Sequence, residues 1–240
     1  MPGSRKTFDP TRNKLLAALP KKELQRLGTW LVPVALKFDD VLFDAGAPIR
    51  HVYFPTSGMI SLLLLLEDGP MAEVARVGNE GMVGLPVFLG VKTSHTRALV
   101  QIPGEALRIK LHHFREQTRA GGPLSNVLLR YAQALINHTE QLTACNTWHM
   151  VEQRLCRWLL ITQHRVQADT IQVTQEFLSQ MLGAHRQSVT LAASNLQRSG
   201  LIRYSRGKLR ILDREGLEEA SCGCDRAIQR QFEELLAAIR

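Results

Sequence analysis

Long apolar runs are missing from these 240 residues. The longest predominantly apolar stretch, residues 59–66, suits a buried strand and falls far short of the roughly 20 residues that span a bilayer. The opening MPGSRKTFDPTRNK has no apolar centre of the kind a secretory signal needs. Both absences lead to the expectation of a soluble, cytoplasmic chain with no membrane partner. Cysteine is scarce as well: Cys145, Cys156, Cys222 and Cys224 are too few to staple a chain of this length with disulfides. Cys222 and Cys224 flank one glycine, and no neighbouring Cys or His pair in the sequence completes a four-ligand set. The pair reads as free thiols in a reducing compartment, with a redox or metal role as the alternative. Neither a metal nor a cofactor is expected.

Signatures of catalysis are also lacking. There is no Gly-flanked nucleophilic serine, no P-loop and no dinucleotide fingerprint. His51, His95, His112 and His113 make no HxH pair with a following carboxylate, which disfavours a metal-dependent enzyme on a β-barrel. The chain is expected not to be an enzyme. Wholesale disorder is excluded too, because 45% hydrophobic and 22% charged residues are ordinary globular values. The length allows one large domain or two modest ones.

The most informative absence is of acid. The net charge is +8, and residues 151–212 hold nine Lys/Arg against three Asp/Glu. From Arg186 to Arg210 there are six basic residues (Arg186, Arg198, Arg203, Arg206, Lys208 and Arg210) and no carboxylate. A solvated basic face ordinarily interleaves carboxylates. An acid-free stripe is the footprint of a polyanion partner.

What is present divides into three regions. After a helical lead-in at 12–27, short apolar or alternating runs recur at 32–38, 41–43, 51–54, 59–66, 71–76, 98–102 and 106–110, separated by Gly, Pro, Asp and Ser turns. That spacing predicts a β-sandwich or small barrel. Gly121-Gly122-Pro123 then opens a long helix whose Leu124, Leu128, Tyr131, Leu135, His138, Leu142 and Cys145 alternate four and three apart. A narrow heptad stripe of this kind points to a second copy in a two-fold dimer, with His138 fixing register; packing on its own domain is the alternative. A further helix at 151–164 presents Leu155, Trp158, Leu159 and Thr162 and opens a compact C-terminal domain.

That domain carries a helix-turn-helix at 173–202. Thr174 caps a first helix with Glu176 in its first turn and Phe177, Leu178, Met181 and Leu182 inward. Gly183 makes the turn. A second helix buries Val189, Ala192, Ala193 and Leu196 and turns Gln187, Thr190, Leu191, Ser194 and Arg198 outward, with Arg186 on the flank. An acid-free face of hydrogen-bonding groups suits the major groove. Two short strands around Ser205-Arg206-Gly207 read as a wing whose basic tip, with Lys208, meets phosphates.

In its segments HVYFPTSGMISL, EGMVGLPVFLG and TQEFLSQMLGAHRQSVT, and in the order of its parts from Lys14 to Leu212, the chain resembles the Crp/Fnr family of bacterial transcription regulators. The resemblance implies an α+β fold: an N-terminal jelly-roll-like β-roll of the cyclic-nucleotide-binding type, a long dimerisation helix and a C-terminal winged helix-turn-helix. The expected divisions are 1–122 for the sensor domain, 123–150 for the dimerisation helix, 151–221 for the DNA-binding domain and 222–240 for a C-terminal helical extension. It also implies a homodimer on a palindromic site in double-stranded DNA, with RNA polymerase as a further partner. The DNA-contacting set is then Thr174, His185, Arg186, Gln187, Ser188, Thr190, Leu191, Arg206 and Lys208. The family's Arg, Glu and later Arg that read bases fall on Arg186, Gln187 and Leu191. Gln187 suits adenine better than cytosine, and Leu191 either touches a thymine methyl or is a plain exposed leucine. In the effector pocket, the Gly-Glu pair for the ribose falls on Gly84-Leu85 and the Arg-Ser pair for the cyclic phosphate on Thr96-Arg97, while Thr139 matches a base-contacting position. The ribose carboxylate is therefore missing. Arg97, one step out of register on a strand, points away from the pocket. The resemblance implies an effector domain that does not take cyclic AMP, its true effector unknown.

Overall fold

The computed structural model describes residues 9–119 and 121–237. The expected divisions 1–122 and 222–240 reach positions 1–8, 120 and 238–240, which lie outside the described residues. A 3-10 turn (Pro10–Arg12) leads into α1 (Lys14–Ala17) and α2 (Lys21–Gly28). The β region follows: β1 (Val32–Leu36), β2 (Val41–Phe43), β3 (His51–Pro55), β4 (Met59–Leu65), β5 (Met71–Val77), the short α3 (Leu85–Phe88), β6 (Thr96–Ile102) and β7 (Gly104–Lys110). Next come α4 (Leu111–Arg119), the 26-residue α5 (Pro123–Trp148) and α6 (Val151–Val166). The chain continues with β8 (Thr170–Gln172), α7 (Gln175–Leu182), α8 (Arg186–Arg198), β9 (Ile202–Ser205), β10 (Lys208–Ile211), α9 (Arg214–Ala220) and α10 (Cys224–Ala237).

Strands β1–β7 form two antiparallel sheets, ordered β1-β7-β3 and β2-β6-β4-β5. Val52, Phe54, Ile60, Ala98, Val100, Leu107 and Ile109 fill the space between them. The four-stranded sheet is covered on its other face too. Ile60 of β4 and Ala98 and Val100 of β6 belong to the β-roll core, whereas Leu63 and Leu99 belong to the core of the C-terminal domain. Successive strand residues face opposite sides, so burial on both faces explains why 59–65 is almost unbroken apolar sequence. Between these layers lies a polar patch. The Ser61 hydroxyl sits 2.6 Å from Glu73 Oε2, 2.8 Å from Gln101 Oε1 and 3.4 Å from Met181 Sδ on α7. Burial pushes the Glu73 carboxyl upward in pKa.

The expected dimer seam is taken up inside the chain. Leu124, Leu128, Tyr131, His138, Leu142 and Cys145 are all buried, and Leu135 is partly buried against the same core. Tyr131 donates to Met82 O at 2.8 Å, and a Cβ on Gly81 would stand 2.7 Å from its ring. His138 lies edge-on to Phe232 of α10. The physical reason is that the β-roll leaves one side of its core open, and the apolar stripe of α5, joined by Ile228 and Phe232, closes it. The outward face of α5 is a different one, carrying Leu129, Gln133, Ile136 and Thr143.

Candidate nucleic-acid interface

The C-terminal core gathers Leu155, Trp158 and Leu159 of α6, Leu178, Met181 and Leu182 of α7, and Val189, Ala192, Ala193 and Leu196 of α8. Thr174 accepts the Phe177 N–H at 3.1 Å and so starts α7. Gly183 ends it in the left-handed region at φ 53°, where its Cβ-free backbone turns the chain into α8. Small side chains at 192 and 193 let α8 cross α6 and α7 closely. The opposite face of α8 is open: Arg186, Gln187, Ser188, Thr190, Leu191 and Arg198 are exposed and Ser194 is half-buried. Leu191 is 62% exposed. The Thr190 hydroxyl is within donating distance of Arg186 O at 2.9 Å and Gln175 Oε1 at 3.0 Å.

The wing is a three-stranded sheet, β8-β10-β9, one strand more than the sequence suggests. The three-residue β8 is too short to show a period, and Ile171 alone is buried. At the tip, Arg206 (φ 49°) and Gly207 (φ 76°) form the hairpin turn, and Arg203, Arg206, Lys208 and Arg210 are exposed around it. Tyr204 pins the wing to the reader: its hydroxyl donates to Val173 O at 2.9 Å, and its N–H donates to Gln197 Oε1 at 2.7 Å. Burial raises the Tyr204 pKa against the opposing charge of Arg186, so the phenol stays a donor.

Not every basic residue of this region faces outward. Arg154 and Arg157 are buried in α6, and Arg165 pairs with Glu80 of the β-roll at 3.0 Å. The surface available to a polyanion is therefore the six basic residues from Arg186 to Arg210, not all nine from 151 onward.

The expected effector residues make contacts of their own. Leu85 is buried in the β-roll core, and Gly84 before it adopts φ 104°. Arg97 grips Asp44 with two bonds, at 2.9 and 3.0 Å, and Thr96 bonds the Ser94 hydroxyl at 2.9 Å. Thr139 is exposed and donates to Leu135 O within its own helix. A cavity of about 720 Å³ does open between the β-roll, α6 and α10, but none of these five residues lines it. Its walls include Arg76, Arg157, Arg165 and Arg214 together with Glu80 and Asp225, and the ion pairs Arg76–Asp225 and Arg165–Glu80 cross it.

Two family models match the chain. A cyclic nucleotide-binding domain aligns with residues 33–120, and a Crp-like helix-turn-helix domain with residues 153–220. The global nitrogen regulator of Synechocystis is 22% identical over 214 residues, covering 84% of this chain and 93% of that protein. Among solved structures, a Crp/Fnr-family regulator from Eubacterium rectale superposes with a TM-score of 0.75 at 18% identity, covering 88% of this chain and 98% of the other. The c-di-GMP-responsive global regulator CLP of Xanthomonas campestris gives 0.66 at 15% identity, covering 81% and 100%. Among the described residues no helix is long and apolar enough to cross a membrane. With a β-roll and a winged helix-turn-helix each matching its own domain model, this chain belongs to the Crp/Fnr family of DNA-binding transcription regulators.

Proposed function

We propose that the chain acts in the cytoplasm, without enzymatic activity, as a homodimer that reads an inverted repeat on double-stranded DNA. The observation that carries this reading is the open, acid-free face of α8 beside a basic wing tip. Arg186 and Gln187 at the start of α8 meet base edges, with Leu191 against an apolar base edge such as a thymine methyl. Thr174, His185, Ser188 and Thr190 flank them at the phosphates, and Arg206 and Lys208 hold the backbone from the wing. Two readers sit about 34 Å apart, one duplex turn. Because the heptad seam is buried within the chain, the second copy is met by the outward face of α5, through Leu129, Gln133, Ile136 and Thr143. The divisions at 122, 150 and 221 follow the changes of element, and RNA polymerase is the downstream partner.

Gly84, Leu85, Thr96, Arg97 and Thr139 mark a degenerate effector pocket. Leu85 offers no carboxylate to a ribose, and the Arg97 guanidinium is already occupied by Asp44. Cyclic AMP is therefore not the signal, and calorimetry is expected to show no binding at micromolar concentrations. Selection of bound fragments from a random DNA pool tests the main reading. An enriched inverted repeat with half-sites one turn apart is expected. Enrichment of single half-sites, or of no sequence at all, would contradict it.

A further inference from the structure

The four side chains Cys145, His149, Cys222 and Cys224 come together at the end of α5, and their ligand atoms all lie within 4.8 Å of one another. Cys145 Sγ is 3.6 Å from Cys222 Sγ, and Cys224 Sγ is 3.5 Å from His149 Nδ1. A tetrahedral zinc ion binds thiolate at about 2.3 Å and imidazole at about 2.0–2.1 Å, which sets sulfur–sulfur edges near 3.8 Å and sulfur–nitrogen edges near 3.5 Å. The two distances match those edges. The separations are too large for a disulfide, whose sulfurs lie about 2.05 Å apart. The sequence hid this set because its halves lie far apart in the chain. Cys145 on the last turn of α5 lies four residues before His149, the C-cap of that helix, while Cys222 precedes α10 and Cys224 is its first residue.

We propose that Cys145, His149, Cys222 and Cys224 form a tetrahedral site for one thiophilic divalent ion of the zinc class. Its role is to clamp α10 to the junction where α5 hands over to the reader. The surroundings suit a bound anionic complex. All three cysteines are buried. Gln141 Nε2 donates to Cys224 Sγ at 3.4 Å, so that sulfur is held as an acceptor. Three thiolates and a neutral imidazole on a divalent ion carry one net negative charge, and their three thiol protons leave to solvent. Arg154 and Arg157 are 6% and 5% exposed, form no ion pair among the described residues, and their charges reach these sulfurs. Arg154 Nε and both Nε and Nη1 of Arg157 lack a hydrogen-bond partner. Buried cations without a counter-charge are costly, and the metal–thiolate group supplies one. Glu73 also feels Arg157, but it is bonded to Ser61.

Four protein ligands leave no open coordination position, which marks the ion as structural. The site ties three elements at one point: α5 through Cys145 and its C-cap His149, α10 through Cys224 and the preceding Cys222, and α6, whose N-cap Met150 directly follows His149. This inference stands on the ligand geometry and does not depend on the DNA reading.

The test uses the full-length protein, purified under reducing conditions. Elemental analysis is expected to find about one zinc per chain. After stripping with chelator, titration with cobalt(II) alone is expected to give the thiolate charge-transfer bands of a tetrahedral site with a one-to-one endpoint, reversed by zinc. The double variant C222S/C224S is expected to lose at least tenfold in cobalt affinity, while Cys156→Ala keeps one ion per chain. Trypsin cleavage at Arg226 and Arg230, exposed on α10, is expected to quicken when the ion is removed. No charge-transfer band from the reduced wild type would overturn the proposal. So would full cobalt affinity in the double variant, or a Cys145–Cys222 disulfide in protein purified under reduction.

Discussion

At the scale of single residues, two side chains show how placement changes meaning. Arg186 stands exposed at the start of α8, free of any internal ion pair among the described residues. Arg186→Ala is expected to weaken operator binding by about 1–3 kcal/mol, roughly 5- to 150-fold, and to relax preference at one base position. A titration showing unchanged affinity would remove it from the reading set. His138 is the converse case, 1% exposed with both ring nitrogens unpartnered. Burial first, then the charges of Arg76 and Arg157, pull its pKa well below the usual 6.5, so the folded chain keeps it neutral. The unfolded chain takes up the proton below pH ~6.5, so this group's contribution is present above that pH and is lost as pH falls. The loss approaches about 1.4 kcal/mol per pH unit. Urea unfolding at pH 7.5 and 5.5 is expected to show a larger drop for the wild type than for His138→Leu. Parallel drops would mean the imidazole is charged in the fold.

At the scale of elements, α8 is held by packing and the wing by turn chemistry. Leu196 is 1% exposed beneath α8, and Leu196→Ala is expected to cost about 2–5 kcal/mol by leaving a cavity. Thermal unfolding reads this as a lowered Tm, and an unchanged Tm would mean the helix is not seated on that side chain. Arg206 occupies a left-handed turn position that asparagine also tolerates. Arg206→Asn therefore removes the charge and keeps the hairpin. It is expected to weaken binding evenly across DNA sequences and to lessen the slope of log affinity against log salt by about 1 per half-site. A loss confined to one sequence would assign Arg206 to base reading instead.

At the scale of the whole molecule, the four-stranded sheet is the joint between the β-roll and the helix-turn-helix domain. Its inner face closes the β-roll, and its outer face meets α6 and α7 through Leu63, Leu99 and the Ser61–Met181 contact. Phe38 also approaches Phe177 at 5.8 Å, so the first helix of the reader rests on the β-roll while α8 faces outward. The dimer proposal belongs to this scale. Leu129 and Ile136 are 57% and 52% exposed on α5, and charge on an apolar interface is costly. The double variant L129E/I136E is expected to sediment as a monomer and to protect one half-site in footprinting. A dimer that survives both changes would place the contact elsewhere.

The sequence by itself determined the longer elements and the helix pair of the reader, while β8 and the short helices α3, α4 and α9 escaped it. Strand alternation, the Gly-Gly-Pro break before α5, the Thr174 cap, the Gly183 turn and the acid-free stripe from Arg186 are local signals, carried by periods of two and 3.6 residues and by turn chemistry. Tertiary structure alone decided which surface each amphipathic face meets. A heptad stripe states that α5 needs an apolar partner, not whether that partner is a second copy or the chain's own β-roll. The count of arginines likewise did not reveal that Arg154 and Arg157 turn inward. Cys145 and His149 acquire Cys222 and Cys224 only when α10 folds back along α5. Periodicity is a property of neighbours in the chain, whereas burial, charge pairing and ligand sets belong to neighbours in space.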